Sequence, residues 1–119
     1  MARLYRALAA LAVLAAAAVP VQGAQTDLSW SVGQDYSKGL QVAGGDAVVF
    51  SWTGLHSVAK VPSSECPSSP GAAQTLVEPA PGGYWTFTCD GTTAGENHFI
   101  CPVGSHCQAG QRITITCSA

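Results

Sequence analysis

Residues 101–117 read CPVGSHCQAGQRITITC, a stretch that joins a short polar loop to a regular alternation of side chains. In its second half, Ile113, Ile115 and Cys117 alternate with arginine and threonine residues. Because successive side chains point to opposite faces of a β-strand, these three residues share one face with Gln111. Glycine and small polar residues fill the first half, which therefore predicts a loop that leads directly into the strand.

The same alternation recurs upstream, between turns rich in Gly, Pro, Ser and Asp. Trp85, Phe87 and Cys89, for example, share one face of a predicted strand. We expect strands near residues 27–32, 40–43, 47–52, 56–61, 74–78, 84–89, 98–101 and 111–117. Short strands without a helical run of useful length after residue 24 predict an all-β sandwich or small barrel.

The composition limits the protein to one small domain with few charges. The chain has 119 residues, and only 10% of them are charged, which leaves no room for a second domain and argues against a disordered or coiled-coil chain. Residues 24–119 carry seven acidic side chains and three basic ones, Lys38, Lys60 and Arg112, for a net charge of −4. So few cations cannot form a basic patch, and we therefore exclude nucleic-acid binding.

The N-terminal segment predicts that the protein is exported. Two arginines precede an apolar stretch at residues 8–19, and a proline and small residues follow it. This is the pattern of a secretory signal peptide, which we place at residues 1–23, with the mature domain at residues 24–119. An uncleaved membrane anchor is the alternative, but the apolar stretch is shorter than the roughly 20 residues that span a bilayer. We expect a secreted, soluble protein without a lipid anchor.

An exported location makes the cysteines informative. The chain has five of them, at positions 66, 89, 101, 107 and 117. In an oxidising compartment an even number would suggest disulfide bonds alone, whereas an odd number leaves one thiol over. A bound metal is one way to hold such a thiol. No CxxC pair is present, which disfavours a zinc finger or a thioredoxin-like site.

The loop at residues 101–111 carries three potential metal donors. The thiol of Cys101 is followed after five residues by the imidazole of His106 and after five more by the amide of Gln111. A tight loop can bring these three side chains around one point, and His56, which follows an upstream β-run, could supply a fourth donor. Two imidazoles and one thiolate with a weak axial ligand are the donor set of an electron-transfer copper site.

Each of these residues also has an ordinary structural interpretation. Taken singly, Cys101 could be a buried core thiol, His56 a surface histidine and Gln111 a polar residue at the start of a strand. Their spacing together favours the metal site. His98 alternates away from Phe99 and Cys101, so we expect it to lie outside the site.

At these residues the sequence resembles the phytocyanins, a branch of the cupredoxins. The matching segments are residues 50–58 (FSWTGLHSV), a loop cysteine at position 66, residues 98–101 (HFIC) and residues 104–111 (GSHCQAGQ). The similarity extends over residues 26–117. Two departures are Ser57, where family members often carry asparagine, and Gly104-Ser105, where proline and glycine are usual.

The resemblance implies a cupredoxin-like Greek-key β-sandwich of about seven to eight strands that binds one type 1 (blue) copper ion. It implies that His56, Cys101 and His106 are copper ligands and that Gln111 is the axial ligand. Met1 is the only methionine and would leave with the signal peptide. A mature chain without methionine has no axial thioether, so Gln111 makes the site resemble that of the stellacyanins.

The resemblance also implies a disulfide bond between Cys66 and Cys107. With Cys101 on the metal, Cys89 and Cys117 remain. Alternation and topology place both on inward faces at the end of the sandwich away from the copper, so we expect a second disulfide bond between them. Two buried free thiols are the alternative.

These expectations predict a secreted carrier of single electrons that is not an enzyme. The electron would pass through an exposed edge of His106 or His56, beside an apolar docking surface formed by Leu55, Pro102 and Val103. The partner would be a transient redox protein with a basic face or a small-molecule reductant, and we expect the carrier to be a monomer.

Two points have alternatives. Ser57, next to a ligand, could form a hydrogen bond to the thiolate loop and tune the site, although an ordinary strand serine is nearly as plausible. The alternative function is an extracellular recognition or cell-wall-associated module on the same fold, in which copper is structural or absent. A module of that kind would lack one or more of the ligand residues, whereas in this sequence residues that can bind a metal occupy all four positions.

Overall fold

Residues 23–118 form one curled β-sheet of six strands. The structure is a computed structural model that describes residues 23–118, so the predicted signal peptide lies outside the described residues except for Gly23. The strands are β1 (Gln25–Ser29), β2 (Leu40–Val42), β3 (Ala47–Val61), β4 (Gln74–Thr88), β5 (Gly95–Ile100) and β6 (Arg112–Cys117), with one 3₁₀ turn at Pro70–Ala72. The prediction of an all-β fold is confirmed.

The order of the strands brings distant parts of the chain together. The sheet runs β1-β3-β5-β6-β2, and β4 pairs with β3. β1 lies parallel to β3 and β2 parallel to β6, whereas β3, β4, β5 and β6 pair in antiparallel fashion. Parallel neighbours require connections that cross over rather than hairpins. Within residues 23–118, no helix is long and apolar enough to cross a membrane.

The expected count of seven to eight strands is wrong, because two pairs of predicted strands are continuous. β3 covers the predicted strands at residues 47–52 and 56–61. β4 covers those at residues 74–78 and 84–89, but it ends one residue earlier, at Thr88. Both long strands contain glycines, which interrupt the alternation of side chains without ending the strand. Gly54 has a φ of +76°, and the register between β3 and β4 shifts between Thr53 and His56. The resulting bend lets the first part of β3 pair with β1 and its last part with β5.

Aromatic rings fill the space that the curled sheet encloses. Phe50 of β3 makes edge-on contacts with Trp30, Trp85 and Phe99, with ring centroids 5.0, 5.4 and 5.7 Å apart. Edge-to-face pairs at these distances add about 0.5–1.5 kcal/mol each beyond the burial of apolar area. In β6 every second residue is buried, as its alternation predicts.

A disulfide bond between Cys89 and Cys117 lies within this core. The two Cα atoms are 5.5 Å apart, and the residues are 0% and 3% exposed. This is the second bond expected from the sequence. It ties the segment that follows β4 to the end of β6, so it joins two strands that do not pair directly.

The number of free thiols tests this bond. In unreduced, unfolded and metal-free protein we expect one reactive thiol, that of Cys101, in a thiol titration. The double variant Cys89→Ser/Cys117→Ser should have a free energy of unfolding lower by about 3–4 kcal/mol, as measured by urea denaturation. The reason is that the unfolded chain, without the closed loop, gains conformational entropy. Three reactive thiols in the unreduced wild type would contradict the bond.

Candidate metal centre

Four side chains, three from the loop that joins β5 to β6 and one from β3, meet beside that loop. Cys101 directly follows the last residue of β5, His106 lies within the loop, and Gln111 directly precedes β6. His56 comes from β3, just after the bend at Gly54. The bend is therefore what delivers the one donor that is distant in sequence.

Backbone hydrogen bonds close the loop at residues 101–111. The N–H of Cys101 donates to the carbonyl of Gln111 at 3.0 Å, and the N–H of Gln111 donates to the carbonyl of His106 at 3.0 Å. Gly110 has a φ of +105°, which glycine adopts without the steric cost that other residues incur. The loop thus holds its three donors near one another without help from a ligand.

A disulfide bond between Cys66 and Cys107 restrains the same loop. Its Cα atoms are 6.0 Å apart, and Cys107 packs among buried residues that include Ile100. This is the pairing that the resemblance implies. Because Cys107 directly follows His106, fixing its backbone also limits where the imidazole can lie.

The thiol and the two imidazoles form one compact cluster. The Sγ atom of Cys101 lies 3.9 Å from Nδ1 of His56 and 3.4 Å from Nδ1 of His106, and all three potential ligand atoms lie within 4.8 Å of one another. Cys101 is fully buried and His56 is 9% exposed, whereas His106 is partly exposed. The cluster therefore meets solvent through His106 more than through His56.

The amide of Gln111 adds a fourth polar group to this cluster and is fully buried. One of its terminal atoms lies 3.1 Å from Nδ1 of His56. The other lies 3.3 Å from Nε1 of Trp30 and 3.3 Å from the backbone nitrogen of Ser31. The four residues singled out in the sequence are thus brought together.

His98 lies outside the cluster, on the side of β5 that faces away from Cys101. Its Nδ1 atom is 2.8 Å from the hydroxyl of Thr114, and its Nε2 atom is 3.6 Å from a carboxylate oxygen of Glu96. These contacts give the imidazole partners on the neighbouring strand and on its own strand.

Ser57 lies beside the cluster, but its hydroxyl does not form the hydrogen bond to the thiolate loop that was one of its two interpretations. The hydroxyl donates instead to the carbonyl of Val77 at 2.6 Å, because the register shifts in β3 turn it toward β4. The carbonyl of Ser57 accepts the indole N–H of Trp30 at 2.9 Å. Ser57 therefore fixes the backbone next to His56 from two sides.

The electrostatics around His56 favour a neutral imidazole. Burial lowers the pKa of His56 from its ordinary value, and the neighbouring His106 lowers it further, while the contact with Gln111 opposes the shift. A neutral imidazole has a free lone pair for a metal. One thiolate, two imidazoles and an amide in contact suit copper, since the soft sulfur favours Cu(I) and the nitrogen ligands suit both oxidation states.

Comparison with known proteins agrees with this donor set. The sequence profile of the plastocyanin-like domain matches residues 29–111, which include all four side chains. The chain belongs to the plastocyanin-like domain family. Cupredoxins, which share this domain, bind one copper ion, and His56, Cys101 and His106 are the candidate group that holds it here. No curated protein matches the sequence.

Solved structures place this plastocyanin-like chain among the cupredoxins. Spinach plantacyanin is 26% identical, with a TM-score of 0.53, and the match covers 79% of this chain and 99% of that one. Cucumber stellacyanin, solved with Cu²⁺, shares the fold at 19% identity and a TM-score of 0.56, over 83% of this chain and 98% of that one. Auracyanin B shares the fold at 16% identity and a TM-score of 0.50, over 85% and 93%. The predicted relation to the phytocyanins is confirmed, and Gln111 beside the cluster fits a stellacyanin-like site.

Two residues near this plastocyanin-like centre escaped the sequence analysis. The indole N–H of Trp30 donates to the strand of His56. Tyr36 lies six residues further on, where its hydroxyl accepts the backbone N–H of Ser31 at 3.0 Å. Neither residue stands in a motif, so only the folded chain shows these contacts.

The lowered pKa of His56 predicts how the metal-free protein responds to acid. His56 should titrate below the ordinary histidine value of about 6.5 in an NMR titration of its ring nitrogens. Since the unfolded chain then takes up this proton at a higher pH than the folded chain, lowering the pH below about 6.5 should reduce stability. A ring that titrates at or above this value would contradict the assigned burial.

Proposed function

We propose that the protein is a secreted electron carrier whose single copper ion alternates between Cu(II) and Cu(I). In this proposal His56, Cys101 and His106 are the main ligands, and Gln111 is the axial ligand. The observation that carries it is the cluster of three ligand atoms within 4.8 Å of one another, in contact with a buried amide. The bound copper supplies the one-electron chemistry, and the chain supplies a fixed set of donors.

The rigidity of the donors supports electron transfer rather than catalysis. The hydrogen bonds that close the loop and the neighbouring disulfide bond restrain the side chains in both oxidation states. Little rearrangement is then needed when one electron moves. Burial of Cys101 and Gln111 also keeps substrates away from the metal, so we do not propose an enzyme.

We propose His106 as the point at which the electron enters and leaves. It is the more exposed of the two histidines in the cluster. Leu55, which precedes His56, is 51% exposed, and Pro102 is also exposed, with Val103 partly so. These apolar side chains would form a small docking surface for a transient partner.

Partners and location remain proposals that rest on the sequence. The predicted signal peptide at residues 1–23 and the net charge of −4 for residues 24–119 support a secreted, acidic protein, which we propose acts as a monomer. Its partner would be a redox protein with a basic face or a small-molecule reductant. A recognition module with structural or absent copper is the alternative, and redox cycling of the bound metal distinguishes the two.

Replacing the proposed thiolate ligand tests the metal centre. Cys101→Ser should remove the intense absorption in the red part of the visible spectrum, because that band arises from charge transfer between the thiolate and Cu(II). The variant should stay folded by circular dichroism, since serine nearly preserves the volume. A variant that keeps the band would show that Cys101 is not a ligand.

Two histidine variants supply a matched comparison. His106→Gln should lose the blue colour or shift its band strongly, whereas His98→Gln should keep it, because His98 contacts Thr114 rather than the cluster. Equal loss in both variants would point to general disruption of the domain instead of loss of a ligand.

The axial position can be tested by exchanging one donor atom. Gln111→Met should raise the reduction potential while the protein stays blue, because a thioether stabilises Cu(II) less than an amide oxygen does. Cyclic voltammetry measures the change directly. An unchanged potential would mean that Gln111 does not interact with the copper.

The acidic charge predicts a dependence on salt. Electron transfer with a small basic redox protein should slow as ionic strength rises, because salt screens the attraction. A neutral small-molecule reductant is the control and should react at a nearly constant rate. A stopped-flow rate that increases with salt for the basic partner would contradict the proposal.

A further inference from the structure

The amide of Gln111 lies between the metal site and two N–H donors. Its inner terminal atom lies 3.3 Å from both Nε1 of Trp30 and the backbone nitrogen of Ser31. The inner atom also lies 3.2 Å from Nδ1 of His56, and the outer atom lies 3.1 Å from the same nitrogen. Oxygen fits the inner position, because an amide nitrogen there would face only donors. The oxygen therefore faces both the two N–H groups and the nitrogen of His56 that a metal would bind.

Both N–H groups already have closer acceptors. The indole N–H of Trp30 donates to the carbonyl of Ser57 at 2.9 Å, and the N–H of Ser31 donates to the hydroxyl oxygen of Tyr36 at 3.0 Å. Both distances are shorter than the 3.3 Å contacts with Gln111. Since these donors are satisfied elsewhere, neither depends on the oxygen of Gln111, which keeps lone pairs for a metal.

The hydroxyl of Tyr36 is held in place for this contact. It donates its own proton to the carbonyl of Ser29, which leaves its oxygen lone pairs for the N–H of Ser31. The ring is only 8% exposed and packs against Trp30 with centroids 5.3 Å apart. The acceptor therefore has a fixed position, determined by backbone on one side and by the core on the other.

We propose that Tyr36 is a positioning residue of the copper site. By accepting the N–H of Ser31, it leaves the side-chain oxygen of Gln111 free for the axial position. This inference rests on the axial role proposed above for Gln111. The oxygen of the amide is the donor, because the lone pair of an amide nitrogen is delocalised, so competition for this oxygen governs the axial interaction.

Tyr36→Phe removes the acceptor and keeps the ring. The N–H of Ser31 then competes with copper for the oxygen of Gln111, which weakens the axial interaction and stabilises Cu(II) less. We expect the reduction potential to rise while the blue colour remains. Tyr84→Phe is the matched control, because it removes the same atom from a side chain that is 78% exposed, and its potential should equal that of the wild type. A Tyr36→Phe potential equal to that of the wild type would overturn the inference.

A double substitution separates positioning from general distortion. In the Gln111→Leu background there is no amide oxygen to compete for, so adding Tyr36→Phe should leave the potential unchanged. A rise of the same size in that background would overturn the inference, because it would show an effect that does not pass through Gln111.

NMR of the wild type tests the contact even if Tyr36→Phe does not fold. In zinc-loaded protein, with diamagnetic Zn²⁺ in place of copper, the N–H of Ser31 should show cross-relaxation with the ring protons of Tyr36 that flank its hydroxyl. Absence of this contact would overturn the inference. A wild type that forms no blue copper complex would overturn the proposed function as well, whereas a blue wild type with an unmoved Tyr36→Phe potential overturns only the role of Tyr36.

Discussion

The hydrogen bond from the N–H of Cys101 to the carbonyl of Gln111 is the contact on which the metal centre depends. It closes an eleven-residue loop between two neighbouring strands, so that the first and last residues of the loop face each other. β5 and β6 fix the ends of the loop through their own pairing. The loop can therefore vary little without breaking the ladder of the sheet, and its three donors keep their relative positions.

The same closure explains how the domain tolerates polar groups in its interior. Cys101 and Gln111 are fully buried, and His56 nearly so, which would be costly for groups without partners. Each has a contact here: the thiol with the two histidines and the amide with His56 and its neighbours. In the described residues no buried side-chain nitrogen or oxygen lacks a hydrogen-bond partner. Burial then serves the site, because it keeps water from the donors and lowers the pKa of His56.

The loop could be predicted from sequence because its donors are close together along the chain. Contacts between distant parts of the chain could not be predicted in this way. Cys101, His106 and Gln111 lie within eleven residues, so their proximity follows from one turn between strands. The sequence alone offered His56 only as a possible fourth donor, because no local signal places a distant strand beside that loop. Its assignment as a ligand required the resemblance. Gly54 shows the limit of local signals, because a glycine with positive φ serves a bend in a continuous strand as well as a turn between two strands.

The hydrogen-bond partners of buried polar groups could not be predicted from the sequence either. For Ser57 the sequence left two interpretations open, and the hydroxyl donates to Val77, since register shifts along β3 decide which strand it faces. Trp30 and Tyr36 are aromatic residues in ordinary core positions, and their roles depend on single polar atoms. Such roles follow from packing at ångström scale, which alternation and composition do not encode.

We propose that the folded chain holds the donors of a blue copper site in place before the metal binds. Titration of the metal-free protein with Cu(II), followed by visible absorption and electron paramagnetic resonance, tests this proposal. We expect saturation at one copper per chain, with an intense charge-transfer band and the small hyperfine splitting of copper bound to a thiolate. Copper that binds without colour, with the large splitting of a tetragonal nitrogen and oxygen site, would contradict it.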